Sequence, residues 1–155
     1  MTLANLLSET QIIPELVATE RWEAIHEMVD TLVKSGKIDA SDRDSIMVSI
    51  RQREETMSTG IGFGIAIPHA SSSKVNDVVA SFGRSSVGIP FESLDGEPVS
   101  LIVLFVVPKD QFQTHLRTLA AIAKFLNDKT VREELGKAED AEAILNVFEN
   151  RSPRQ

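Results

Sequence analysis

The sequence predicts an α/β or α+β domain, a β-sheet with helices packed on it, and three observations carry that reading. Leu101 to Val107 is an unbroken apolar run rich in β-branched residues and closed by Pro108, short for a helix and suited to a strand buried on both faces. Stretches with apolar residues three and four apart lie before and after it, which adds helices to the sheet. The chain has 155 residues, 42% of them hydrophobic, and shows no internal repeat, linker or low-complexity block. One domain over 1–155 follows, with a core over about 6–148 and roughly 70% of the unfolded surface buried.

Taken in order, Thr19 is the predicted N-cap of a helix whose buried stripe is Trp22, Ile25, Met28, Val29, Leu32 and Val33, with Gly36 as the stop. Ser41 and Asp44 have capping-box spacing ahead of Ile46, Met47 and Ile50, so a second helix runs to about Arg53. Val75 to Phe82 reads as a strand after a Ser71-Ser72-Ser73 loop, and Gly88 to Phe91 and Asp95-Gly96 supply turn signals. From about Gln113 a third helix carries Leu116, Leu119, Ile122, Ala123 and Leu126, with His115 on the same stripe in its first turn. Helices around Val131 to Leu135 and Asp140 to Phe148 follow, then a polar tail over 150–155.

Composition excludes several classes of function. Cysteine is absent, which removes disulfides, thiolate metal sites and thiol nucleophiles. The net charge is −7, the 16 Lys and Arg are spread along the chain, and no basic run is interleaved with aromatics, so nucleic acid is not an expected partner. The N-terminal MTLANLLSETQIIPEL lacks the basic start and cleavage site of a signal peptide, and no apolar run approaches the ~20 residues of a membrane span. The expectation is a soluble, cytoplasmic protein without membrane insertion.

The chemistry concentrates in STGIGFGIAIPHA, Ser58 to Ala70. Ile65 stands where a dinucleotide fingerprint wants its third glycine, and no Gly-Lys-Ser/Thr follows for a P-loop, so no nucleotide cofactor is implied. If Ile61 to Ile67 is extended, Gly60, Gly62, Gly64 and Ala66 share a bare face that admits another backbone or an anion, and Ile61, Phe63, Ile65, Ile67 and His69 share the other. Pro68 removes an N–H and fixes φ, which ends the strand and presents His69 from a stiff exit.

For His69 two roles are open, a hydrogen-bonded histidine at a strand end or a nucleophile, since neutral imidazole attacks well near pH 7. His115 divides the same way: a partly buried histidine, or a hydrogen-bond donor beside an anion at a helix N-terminus. His26, flanked by Glu23 and Glu27, reads as structural. The two histidines 69 and 115 lack zinc spacing and an evident third ligand, and Ser58-Thr59 lacks a nucleophile elbow, so neither a metal site nor serine hydrolysis is expected.

The segments REETMSTGIGFGIAIPHA, GIPFESLDGEPVSLIVLFVVP and THLRTLAAIAKFLND together resemble the type-2 (mannitol/fructose/nitrogen-type) enzyme IIA domain of the bacterial phosphoenolpyruvate-dependent sugar phosphotransferase system, over about Leu6 to Phe148. That resemblance implies a mixed β-sheet flanked by helices. It implies phosphorylation of His69 in Ile-Pro-His, assistance from His115 at the head of its helix, and Arg53 lining the site. It also implies a phosphohistidine carrier protein, HPr or its nitrogen-branch counterpart, as donor, and an enzyme IIB or a regulated target protein as the next partner, with no metal or cofactor. The lack of fused IIB, IIC or HPr sequence favours a stand-alone nitrogen-type regulator over a sugar-specific subunit. Two residues depart from the family pattern: Ala70 replaces the usual glycine, putting a positive φ there in doubt, and Phe63 stands where a polar residue such as Asn is frequent.

Overall fold

The computed structural model describes residues 3–151. The described elements run α1 (Leu3–Leu6), β1 (Ile12–Ile13), α2 (Arg21–Lys34), α3 (Arg43–Thr56), β2 (Gly60–Gly62), β3 (Ile65–Ala66), β4 (His69–Ser72), β5 (Val79–Ile89), β6 (Val99–Pro108), α4 (Phe112–Asn127), α5 (Lys129–Lys137) and α6 (Ala141–Arg151), with short 3-10 turns between some of them. Among the described residues no helix is long and apolar enough to cross a membrane.

The apolar run over Leu101 to Val107 is the centre of the sheet, as expected. β5 lies antiparallel along one side of β6, while β3 and then β4 lie parallel along the other. β1 adds parallel to β5 and β2 adds antiparallel to β3, giving a mixed six-stranded sheet. Successive residues of β6 serve opposite cores. Ile102, Leu104 and Val106 pack with Ile25, Met28, Leu32, Ile46 and Ile50 of α2 and α3. Val103, Phe105 and Val107 pack with Ile122, Leu126, Leu135, Ile144 and Phe148 of α4, α5 and α6. The fold is therefore a mixed sheet flanked by helices on both faces.

Several local expectations are corrected. Glu20, not Thr19, caps α2: its carboxylate reaches forward to accept from Trp22 N at 3.2 Å and Glu23 N at 2.6 Å. Ser41 is drawn into a 3-10 turn because Asp39 Oδ1 accepts from its N–H and its hydroxyl, so no capping box forms and α3 begins at Arg43 and runs on to Thr56. The strand expected over Val75 to Phe82 begins only at Val79 and continues to Ile89; it pairs with β6 through Arg84, breaks register over 85–88, and rejoins β6 where Ile89 meets Val99. Ser71 and Ser72 belong to strand β4 rather than a loop. In α4, Leu116 is exposed and Thr118 takes the buried position, so the stripe is rotated from the one the leucines suggested. Of the expected polar tail, Asn150 and Arg151 complete α6, and 152–155 lie outside the described residues.

The glycine stretch departs most. Gly60 to Ala66 is a hairpin rather than one extended strand, with Gly60 opposite Ala66 and Gly62 opposite Ile65. Phe63 and Gly64 turn the chain at φ +58° and +77°, after Gly62 at +100°. The three glycines thus serve two purposes. Gly62 and Gly64 supply left-handed backbone, whereas Gly60 supplies space, since a Cβ there would lie 3.0 Å from Ser93 Cα. The expected alternation does hold from Ile65 onward: Ile65 and Ile67 enter the α4–α6 core, Ala66 and Ala70 the α2–α3 core.

Candidate functional site

His69 opens β4. Ile65 and Ala66 of β3 pair with Leu101 and Ile102, and His69 to Ser72 pair with Phe105 to Pro108, so the strand resumes after Pro68 without a change of register. The ladder stays closed across the break because Phe105 N donates to Pro68 O at 3.0 Å. His69 is therefore held by the central strand on both sides of the proline, which is the stiff exit expected of it. Ala70, which follows, has none of the positive φ that a glycine would have suggested.

The ring of His69 is 8% exposed and is fixed in its orientation. Nδ1 donates to Ile67 O at 2.8 Å, and the ring stacks on Phe112 with centroids 6.2 Å apart and planes at 23°. A proton on Nδ1 leaves the Nε2 lone pair unprotonated. Burial pushes the imidazole below its ordinary value of 6.5; the hydrogen bond to Ile67 and the charge of Glu54 oppose that shift, and the Arg53 charge adds to it. The unprotonated ring therefore predominates at neutral pH.

A cleft of about 450 Å³ opens over this ring, bounded by Arg53, Gln52 and Ser49 of α3, Ser71 of β4 and Phe112 of α4. Arg53 lies in the last turn of α3, where its Nη1 donates to Met57 O at 2.9 Å. The rest of its fork stays available to an anion, and its charge reaches His69. His115 is in the first turn of α4, one turn beyond Phe112, with its ring edge-on to Phe105 at 6.3 Å. Its Nδ1 is buried without a hydrogen-bond partner among the described residues. The structure thus brings Arg53 and His69 into one cleft and places His115 beside it, against the residue that pairs with His69 in the sheet. His26 stands elsewhere, with Nδ1 3.1 Å from Arg43 Nη2 in a cluster with Asp30, in keeping with a structural role.

Glu54 and Phe112 were missed in the sequence. Glu54 is 1% exposed; its carboxylate accepts from Thr59 N at 2.8 Å and Thr59 Oγ1 at 2.6 Å, with Arg21 Nη1 at 3.9 Å. Thr59 O in turn accepts from Ile67 N at 3.1 Å, and Ile67 O accepts from His69. A hydrogen-bonded chain therefore runs from the end of α3 through the hairpin to the imidazole. The available signal was spacing: Glu54 continues the Ile46, Ile50 stripe at i+4, a carboxylate where an apolar residue belongs. Phe112 sits three residues before His115, on the same helical face.

Residues 5–151 match the family model of the phosphoenolpyruvate-dependent sugar phosphotransferase system, EIIA 2. A fructose-specific EIIABC component from Bacillus subtilis is 37% identical over 96% of this chain, which spans only 23% of that relative's length. A nitrogen regulatory protein from Bradyrhizobium diazoefficiens is 31% identical, covering 96% of this chain and 95% of the relative. The crystal structure of nitrogen regulatory protein IIA-Ntr from Neisseria meningitidis superimposes with a TM-score of 0.85 at 26% identity, covering 94% of this chain and 98% of that one. With the pattern read in the sequence, the fold and the match over nearly its whole length in agreement, the chain belongs to the type-2 EIIA family of the phosphoenolpyruvate-dependent sugar phosphotransferase system.

Proposed function

We propose that this protein is a phosphocarrier that takes a phosphoryl group on Nε2 of His69 from an HPr-type phosphohistidine protein and passes it on. The observation that carries this reading is the hydrogen bond from Nδ1 to Ile67 O, which leaves Nε2 unprotonated over a cleft that contains Arg53. In the step itself, the Nε2 lone pair forms the new N–P bond as the donor's N–P bond breaks, and the donor imidazole leaves with the bonding pair. The positive charge that develops on the ring is held at Nδ1–H by the Ile67 carbonyl. The guanidinium of Arg53 meets the charge on the phosphoryl oxygens, and His115 donates to them from its place in the first turn of α4.

Incubation with phosphoenolpyruvate, enzyme I and an HPr-type carrier should give an acid-labile, alkali-stable adduct on the parent protein and none on His69→Ala. Stoichiometric labelling of His69→Ala overturns the assignment.

The downstream role we favour is regulatory, a nitrogen-type IIA whose phosphorylation state governs its binding to target proteins. Support comes from the end-to-end correspondence with a nitrogen regulatory protein and from the IIA-Ntr fold match. The second reading, transfer to an enzyme IIB for sugar uptake, is favoured by the 37% identity to a fructose-specific component. A pull-down with unphosphorylated and enzymatically phosphorylated protein separates them: a partner held in only one state supports regulation, and a IIB indifferent to the state of His69 supports transport.

A further inference from the structure

A second cavity, of about 410 Å³, lies on the same face of the sheet as α4–α6 but at the other end of β6. Leu101 in its wall precedes Phe105, the partner of His69, by four residues, roughly 13 Å along a strand. Its walls come from β5, the start of β6, the tip of the β2–β3 hairpin and α5. None of these lining residues belongs to the His69 cleft.

Arg84 and Arg132 line it, and neither guanidinium has a carboxylate within ion-pair distance among the described residues. Arg84 donates to Pro14 O at 2.9 Å and to Leu135 O and Ala138 O at 2.6 Å each; Arg132 donates to Leu126 O at 3.1 Å and Asn127 O at 2.5 Å. Both are half-buried and locked by backbone carbonyls, yet among the described residues Nη2 of each and Nε of Arg132 keep their N–H groups unspent. Two positive charges are thus pre-positioned on one cavity in a protein whose net charge is −7.

Gly136 forms part of the wall for no evident structural reason. It lies in the last turn of helix α5, has no positive φ, and a Cβ built on it would meet nothing within 4 Å. Glycine costs up to about 1 kcal/mol relative to alanine in a helix interior and less in a last turn, and here the residue gives only open space. Ser100 adds a hydroxyl from β6, and Phe63 closes one side with its ring under Arg132 at 5.0 Å. Glu15 also lines the cavity, with Oε2 held by Ser86 N and Oγ. Its charge disfavours a ligand that is negative throughout and favours one that brings a hydrogen-bond donor to that end.

From this arrangement we infer that the cavity is a binding site for a small organic anion, with a phosphate or carboxylate at the arginine end and a hydroxyl or ammonium donor toward Glu15. The site is independent of the phosphocarrier reading, since it shares no lining residue with the His69 cleft.

The test is titration of the ¹⁵N-labelled protein with inorganic phosphate, glycerol 3-phosphate and glycerate, each to about 10 mM, where a millimolar site is well filled. The expected result is saturable amide shifts at Ser86, Ser100, Arg132 and Gly136 with glycerol 3-phosphate, glycerate or both, and weaker shifts with phosphate alone. Which organic probe binds distinguishes the two headgroups. Arg132→Gln should weaken binding at least about tenfold, the loss of one charge-assisted contact. Gly136→Glu, which raises helix propensity and places a carboxylate in the cavity, should abolish it while the protein stays folded. No shift at these amides with any probe, shifts confined to the His69 cleft, or undiminished binding in folded Gly136→Glu overturns the assignment.

Discussion

Replacing Glu54 tests whether the carboxylate behind the hairpin holds the His69 ring in place. Its two hydrogen bonds to Thr59 are buried and charge-assisted, and such bonds contribute about 1.5–3 kcal/mol each. Truncation to alanine removes both and orphans the Thr59 N–H and hydroxyl, while relieving the desolvation of the carboxylate. The net loss should be about 3–5 kcal/mol. Glu54→Gln keeps the shape: the amide oxygen accepts from Thr59 N and the amide NH₂ donates to Thr59 Oγ1, for a loss of about 1–2 kcal/mol. Urea denaturation measures both. A second readout follows the chain of bonds. Thr59 O anchors Ile67 N and Ile67 O anchors the His69 ring, so the imidazole Nδ1 proton should exchange with solvent faster in Glu54→Ala than in the parent. An alanine variant within about 0.5 kcal/mol of the parent, or a glutamine variant as damaged as the alanine one, would refute the reasoning.

Three further outcomes are expected. Arg53→Lys should slow phosphotransfer with little change in thermal midpoint, because lysine can still reach the Met57 carbonyl but has no planar fork for phosphate; equal rates in a quench-flow assay would reduce Arg53 to a helix cap. His115→Ala should fold normally, since its Nδ1 bonds nothing among the described residues, yet transfer on the order of one hundredfold more slowly, as for a lost oxyanion donor. Unchanged transfer in both directions would leave His115 a packing residue. The depressed value of His69 sets a pH dependence: in the unfolded chain it titrates at its ordinary 6.5 and in the folded protein lower, so the unfolded state binds more protons in that window. Its stabilising contribution is complete above 6.5 and is lost as pH falls through the folded value. Urea midpoints of the parent should fall more than those of His69→Asn between about pH 8 and pH 5. Parallel curves would show that burial does not shift the ring.

The parts legible in the sequence were those that a local rule determines. A seven-residue, β-branched apolar run ended by proline fits a buried strand better than a helix, and Met28, Val29 and Leu32 mark a helix face wherever that helix packs. Pro68 and His69 carry their consequence in two adjacent residues. The features that stayed hidden are set by partners distant in the chain. β5 continues past Arg84 to Ile89 because Glu15 holds Ser86 and Val99 of β6 meets Ile89, although the composition of that stretch is that of a turn. Alternating glycine and isoleucine fits either one strand or two strands folded back, and the choice falls on φ at Gly62, Phe63 and Gly64. Phenylalanine disguised that choice. Asparagine, frequent at this position in the family pattern, tolerates left-handed backbone and followed by glycine would have signalled the turn. Glu54 was overlooked because a carboxylate reads as solvated until its buried partner, Thr59, is known.

The unchanged register across Pro68 has a consequence for how sequences of this kind can vary in length. Residues 65, 66 and 69 to 72 all stand opposite the residue 36 positions later, so β6 acts as a ruler for this strand. A residue inserted at the hairpin tip, around Phe63, falls before the ruler begins and leaves His69 opposite Phe105. One inserted between Ala66 and His69 displaces the imidazole by one step and turns it to the opposite side of the sheet, away from Phe112 and toward the α2–α3 core. Length changes should therefore be tolerated at the turn of the hairpin and rejected in the segment of three residues from Ile67 to His69.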